Sequence, residues 1–400
     1  MSESFDIVIV GGAAIGSAVA YFLTANPDFD GSVLIVERDP TFAQASTALS
    51  SASIRSQFSN PLNVQMSVFG AQFFREFAEV MAVAGDKPDL NFREAGYLFL
   101  ASSAEQTRIL QENHQVQKSL GVPVVLWSPE QTQQAFPHLR VDDLALASYG
   151  LSGEGWFSNT GLMNGFRKKA RAQGAEYVID EVVDLVCEDN SVSAVMLKSG
   201  RQVECGAVVN AAGARAQKVA SMAGLTIPVE PRKRTLFVLD CAHSPEGSAT
   251  VNEGRLPLMV DVSGTFCRPE GKFFLSGTSP NEDPAVNYDD FEPRYEEFDQ
   301  VWMDLAARSE AFEAIKLVSC WAGHYAFNTL DHNVIAGPHN QMDNFIFANG
   351  FSGHGLQQSP AIGRGISEWI IYGRFCTLDL SEVSYERVAQ NRPFLERAII

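Results

Sequence analysis

The sequence predicts an α/β protein that also carries an α+β portion: a Rossmann-like unit opens the chain and mixed strands fill its middle. Three observations predict it. Ile7–Val10 and Val33–Val36 are short, wholly apolar runs, as strands covered on both faces require. A glycine-rich turn at Gly11–Gly16 and a helix of small and apolar residues lie between them. Asn349–Pro360 then builds a second strand–glycine–helix junction late in the chain, with Gly350, Gly353 and Gly355.

The opening unit carries a dinucleotide fingerprint. Gly11 permits the tight turn out of the first strand, and Gly16 lets the helix approach the sheet. With Gly12, Ala13, Ala14 and Ile15 they place helix N-terminal amides where a pyrophosphate would sit, the positive end of the helix dipole behind them. Glu37 follows Gly16 at the spacing that reaches a ribose hydroxyl, and its charge would repel a 2′-phosphate, which argues against NADP. Ala13 replaces the middle glycine of G-x-G-x-x-G, so a slightly longer phosphate contact is expected. A lone glycine-rich turn can bind nothing; the full strand–turn–helix–strand–Glu order argues for a ligand.

Composition narrows the rest. With 400 residues and 46% hydrophobic content, the chain has room for a large core and about two domains. Thirty basic against 48 acidic residues give a net charge of −18, which disfavours nucleic acid and anionic membrane surfaces as partners. Cys187, Cys205, Cys241, Cys267, Cys320 and Cys376 are scattered, as in a reducing compartment. No signal peptide and no transmembrane segment are expected, and a cytoplasmic location is.

The elements follow in order. Thr41–Gln57 is a Ser/Ala/Thr-rich loop whose one positive charge is Arg55, placed where the chain returns over a bound dinucleotide. Apolar spacing predicts a helix over Pro61–Val83. Gly96–Ala101, Val122–Trp127 and the helices Ser103–Leu120 and Pro129 onward make Gly85–Ser148 a small α+β insertion. Asn159 or Thr160 caps a helix that ends at Gly174. Glu176–Cys187, Ser191–Lys198 and Arg201–Glu204 read as a meander, followed by a buried strand Ala207–Asn210. At Ala211, Ala212, Gly213 and Ala214 two readings stand: close approach to a ligand, or a tight strand-to-helix turn. Val229–Asp240, Leu258–Val262, Thr265–Arg268 and Lys272–Ser276 form a second strand-rich region. An amphipathic helix is predicted over Asp290–Ala307, and strands at Leu317–Phe327, Val334–Ala336 and Asn344–Ala348. At Gly353, His354, Gly355, Leu356 and Gln357 a second helix N-terminus points at something, a phosphate or the edge of a flavin.

In this order the motifs resemble the D-amino acid oxidase / glycine oxidase / sarcosine oxidase superfamily, over essentially the whole chain. Within it, Ser46-Thr47-Ala48-Leu49-Ser50, Ile54–Phe58, Trp321–Tyr325 and Asp331–Pro338 are most similar to the FAD-dependent oxidoreductase-domain branch. The resemblance implies a discontinuous Rossmann-like FAD-binding domain (1–84, 149–228, 328–400) and a mixed-sheet substrate-binding domain (85–148, 229–327). It implies that Gly11–Gly16, Glu37, Arg38, Ser46, Thr47, Ala48 and Ser50 hold the ADP and pyrophosphate, with Val183 contacting the adenine through its backbone. Ala211, Ala212 and Gly213 would approach the cofactor, and Gly353–Gln357 would face the isoalloxazine. Family members that tether the flavin use a cysteine where Gly323 stands or a histidine in the early loop, which has none, so FAD is expected to be non-covalent. The lysine that assists reaction with O₂ falls near Leu275, which leaves either O₂ or a redox carrier as acceptor.

The implied reaction is oxidation of the C–N bond of an amino acid or N-substituted amino acid, its carboxylate held by an arginine fork. Arg55 is the first candidate for that anchor. Arg232 and Arg234 read better as a solvated strand face. Tyr325, His324 and His354 are candidates to bind the amine or position the carboxylate, and Gln57 to orient the substrate. His324, His332, His339 and His354 show no metal-ligand spacing. The alternatives are a C–OH (2-hydroxy-acid) dehydrogenase on the same scaffold, or a non-catalytic flavoprotein with an assembly or binding role. Oligomeric state stays open, a homo-oligomer included.

Overall fold

The computed structural model describes residues 3–280 and 282–397. Its first sheet centres on Glu3–Val10, flanked in parallel by Val33–Glu37 on one side and Gln202–Asn210 on the other. Glu176–Ile179 continues it beyond Val33–Glu37, and Phe345–Asn349 beyond Gln202–Asn210, again in parallel. Ile335–Pro338 closes that edge antiparallel. Alternation decides which side each residue faces. Ile7, Ile9, Ile35 and Val209 pack under the helices Ala14–Ala25, Asn159–Ala172 and Gly355–Tyr372; Val8, Val10, Leu34 and Val208 pack on the other face. Both faces are covered, as the uninterrupted apolar runs require.

The second sheet has eight strands, in the order Ile315–Asn328, Val229–Cys241, Phe273–Gly277, Phe266–Glu270, Leu258–Val260, Tyr97–Ala101, Leu146–Gly150, Val124–Trp127. Leu98, Leu100, Phe237, Met259 and Phe274 form a core on one face. Tyr97, Phe99, Leu258, Val260 and Phe266 share the other.

Several elements differ from expectation. Glu176–Ile179 pairs with Val33–Glu37 in the parallel sheet, and the meander is confined to Val182–Glu188, Ser191–Leu197 and Gln202–Asn210. Arg201–Glu204 and Ala207–Asn210 are one strand, not two, because both pair with Glu3–Val10. The helix from Pro61 ends at Arg75, and a separate turn covers Phe77–Val80. Ser158, not Asn159, caps the Asn159–Ala172 helix, its hydroxyl accepting from the Gly161 N–H; the Asn159 amide instead donates to the Ala48 and Ser50 carbonyls. The helix expected from Asp290 begins at Glu297. The residues before it are pulled onto the second sheet by Lys233, whose ammonium donates to both oxygens of Asp290 at 2.8 Å. Among the described residues no helix is long and apolar enough to cross a membrane.

Candidate functional site

One elongated cavity of about 650 Å³ is lined by residues of both sheets. At one end Glu37 stands at the tip of its strand. Its carboxylate accepts the Gly12 N–H at 2.8 Å and the Asp39 N–H at 2.9 Å, while burial raises its carboxyl above the ordinary range. Arg38, Ser46, Thr47 and Ser50 line the same cavity. So do Ala211, Ala212 and Gly213.

Two helices aim their N-termini into this space. Ala13 begins the 12-residue Ala14–Ala25 helix and His354 the 18-residue Gly355–Tyr372 helix, neither with a side-chain cap. Ala13, Ala14, Ile15 and Gly353–Gln357 line the cavity. N-terminal amides without intrahelical partners, on the positive ends of two dipoles, form an anion cradle. The first is possible because of Gly16: a Cβ there would lie 1.9 Å from the Gly11 carbonyl oxygen.

Arg55 lines the cavity beyond the second helix, yet only 5% of it is exposed. Its guanidinium lies over the Phe58 ring at 4.5 Å and the Phe99 ring at 5.7 Å. Nη2 sits 3.3 Å from His354 Nε2, and Nε has no partner among the described residues. No carboxylate is ion-paired to it among those residues. His354 is half-buried in the cavity wall; burial of its ring, and then the Arg55 charge, push its imidazole down to about 3, so it is neutral. Tyr97, Leu236, Leu258, Val260 and Phe266 supply an apolar wall to the same cavity.

The other arginines are committed. Arg234 makes a two-pronged pair with Asp283 at 2.7 Å, and Arg232 pairs with Glu230 at 2.8 Å. Tyr325 lines the cavity with Arg234 4.9 Å from its ring. His324 also lines it, but its Nε2 lies 2.7 Å from the Asp290 carbonyl, and its ring stacks on Phe291 at 4.2 Å. Its ring therefore fastens the segment before the Glu297 helix, and burial lowers its pKa.

Five of the expected residues do not line the cavity: Gln57, Val183, Gly12, Gly16 and Ala48. Gln57 is not a lining residue: its amide is consumed by Tyr97 O, Glu154 and Ser148. Val183 is 46% exposed, as a contact through its backbone allows, and its neighbour Val182 lines the cavity. The Gly12 N–H donates to Glu37, Gly16 packs on the Gly11 carbonyl, and the Ala48 carbonyl accepts from the Asn159 amide. Leu275 is buried in its strand; the lysine among the described lining residues is Lys218, 4.2 Å from the Tyr288 ring. Lys218, Arg215 and Tyr288 were missed, as was Glu154; only the adjacency of Arg215 to Gly213 offered a signal. Among the described residues no group of three His, Cys, Asp or Glu could hold a metal ion.

Comparison with known proteins agrees with this architecture. The family described as FAD dependent oxidoreductase (DAO) matches residues 6–369. FAD-dependent oxidoreductase domain-containing protein 1 of Xenopus laevis is 41% identical, over 100% of this chain and 85% of its own. Its Drosophila melanogaster homolog is 32% identical, over 98% and 80%. The fold is shared with L-proline dehydrogenase from P. horikoshii (TM-score 0.85, 24% identity, 98% of this chain and 100% of that one). It is shared too with glycine oxidase from Geobacillus kaustophilus (TM-score 0.79, 22% identity, 96% and 98%). With a family match across most of its length, and with a Rossmann unit and paired helix N-termini around one cavity, the chain belongs to the DAO family of FAD-dependent oxidoreductases.

Proposed function

We propose that this protein oxidises the C–N bond of an amino acid or N-substituted amino acid, and that Arg55 anchors the substrate carboxylate. The observation that carries this reading is the unpaired guanidinium of Arg55 in the cavity wall. A buried cation without a counter-ion is costly, and an anionic ligand group removes the cost. Arg232 and Arg234 already have carboxylate partners, so neither competes for the role.

The residues present fit FAD. Two uncapped helix N-termini suit a pyrophosphate and the flavin's pyrimidine edge. Glu37 suits a ribose hydroxyl. Gly323, and the absence of histidine from the 41–57 loop, support non-covalent binding. When bound, FAD supplies the two-electron acceptor for the substrate's hydride.

The protein's own part is placement. Arg55 holds the carboxylate, the Leu258, Val260 and Phe266 wall excludes water, and neutral His354 sets no positive charge against an amine. C–N oxidation yields an imine, which water hydrolyses to a carbonyl and an amine.

The test is anaerobic mixing of the holoprotein with amino acids of both hands, N-methylated glycines and 2-hydroxy acids, read by flavin absorbance. Bleaching by an amine class, with ammonia or an amine released, supports the reading. Bleaching by hydroxy acids alone transfers it to C–OH oxidation. No bleaching by any member favours a non-catalytic role. Readmitting air then separates O₂ from a redox carrier as acceptor.

A further inference from the structure

Glu154 touches no lining space and has no part in the reading above, yet it is the most enclosed acid near the anchor. Its side chain is completely buried. One carboxylate oxygen accepts the Ser56 N–H at 2.7 Å, and the other accepts Gln57 Nε2 at 2.8 Å. Gln57 is pinned in turn by the Ser148 hydroxyl at 2.6 Å. A Cβ on Gly150 would lie 1.9 Å from the Glu154 carboxylate, so the fit tolerates nothing larger than glycine there. Both oxygens meet donors, so the anion is held by two hydrogen bonds, and each oxygen keeps a lone pair on which a proton can sit.

The segment that delivers these donors is the one that carries Arg55. Among the described residues, a buried carboxylate with no direct cation thus holds Ser56 and Gln57, the two residues that follow a buried arginine with no direct anion. Each is costly alone, and each offsets part of the other's cost through space. The ionisable groups around them include Tyr97 and Tyr149 on the neighbouring strands and His354 beside Arg55, with Arg268 and Tyr325 acting on Tyr97, Arg255 on Tyr149 and His332 on His354. Burial raises the Tyr97 and Tyr149 phenols, Tyr149 to about 12, and His354 is neutral down to about 3. None of the three changes charge near neutrality.

We propose that Glu154 is the resting counter-ion of Arg55, and that a substrate carboxylate arriving at Arg55 takes over this role while Glu154 takes up one proton from solvent. This rests on the reading of Arg55 as the carboxylate anchor. Glu154 is a positioning residue, since it acts through the Arg55–Gln57 segment and touches no ligand. Burial lifts its carboxyl to about 7, against the pull of its hydrogen bonds and of Arg55. A ligand anion cancels the pull of Arg55, so the proton affinity of Glu154 rises further on binding. Below that pH the proton is already in place. Above it each ligand must bring one proton, and affinity falls by up to about tenfold per pH unit.

The test is titration calorimetry of the holoprotein with benzoate, a carboxylate without an oxidisable amine, at pH 6 and pH 8 in buffers of different ionisation enthalpy. The expected result is uptake of nearly one proton per benzoate at pH 8, little at pH 6, and an affinity that falls between them. E154Q should bind benzoate with no proton uptake and a flat pH profile, and E154D should restore the slope. Wild-type binding without proton uptake at pH 8, or uptake that survives in E154Q, overturns the coupling and leaves the anchor standing. Absence of benzoate binding at both pH values overturns the anchor and the coupling together. Should E154Q not fold, the wild-type proton count decides alone.

Discussion

Arg55 Nη2 lies 3.3 Å from His354 Nε2, a buried cation donating to an imidazole that stays neutral. The contact assigns the tautomer: Nε2 accepts, so Nδ1 carries the proton, and Nδ1 has no partner among the described residues. The pair joins the loop after the second Rossmann strand to the start of the Gly355–Tyr372 helix. A second tie runs alongside it, from the Arg55 N–H to Gln357 Oε1 at 2.9 Å. The proposed anchor is thus tied to the helix N-terminus proposed to face the flavin.

Glu154 and His354 give the protein two opposed stability slopes. The Glu154 carboxyl is raised to about 7, so the folded state binds the extra proton and stability falls as pH rises from about 4.5 to 7. The stability of wild type relative to E154Q should therefore drop by about 3 kcal/mol between pH 4 and pH 8. His354 is depressed to about 3, so the unfolded state binds the extra proton and stability is lost as pH falls from about 6.5 toward 3. His354→Asn should blunt that acid loss. Denaturant midpoints across the two pH ranges check both signs.

Gly16→Ala should empty the cofactor site before it unfolds the protein. The added Cβ would lie 1.9 Å from backbone, so the helix must retreat from Gly11 and carry its amides with it. The flavin-to-protein ratio of the purified variant should fall several-fold, with circular dichroism close to wild type.

Gly353→Ala should be damaged twice over. Its φ is +100°, and the new methyl would meet the Tyr325 ring at 2.7 Å. A loss of about 2 kcal/mol or more is expected. Tyr325→Leu in the same chain should recover the clash but not the backbone strain. Thermal midpoints of the two single variants and the double variant separate the contributions.

The segment ahead of the Glu297 helix is held across the cavity by Arg234–Asp283, Arg215–Asp289 and Lys233–Asp290. Asp283→Asn with Asp290→Asn should loosen it by roughly 1–3 kcal/mol per lost charged bond. Limited proteolysis should then cut between Asp283 and Arg294 several-fold faster, with the core fragments unchanged.

How much of this was legible in sequence follows from the range of each interaction. The Rossmann unit was legible because its constraints are local: Gly11, Gly16 and Glu37 lie within one βαβ unit. Arg55 was legible as the single positive charge of its loop. Glu154 was not, since its partners Ser56 and Gln57 are about a hundred residues away and its flanking glycines look like any turn. The start of the Glu297 helix was misplaced because its amphipathic pattern runs back to Asp290, whose tie to Lys233 is long-range. A short run such as Glu176–Ile179 does not tell which strand it will pair with, so its place beside Val33–Glu37 is visible only in the structure.

The most direct measurement is a cycle of anaerobic flavin reduction with the best amine substrate and its carboxamide, each mixed with wild type and with Arg55→Ala. Wild type should lose about 100-fold in kcat/KM on going from acid to amide, equivalent to ~3 kcal/mol. Arg55→Ala should react with both at the same low level, its flavin still bound. If Arg55→Ala keeps the full preference for the acid over the amide, Arg55 does not hold the carboxylate.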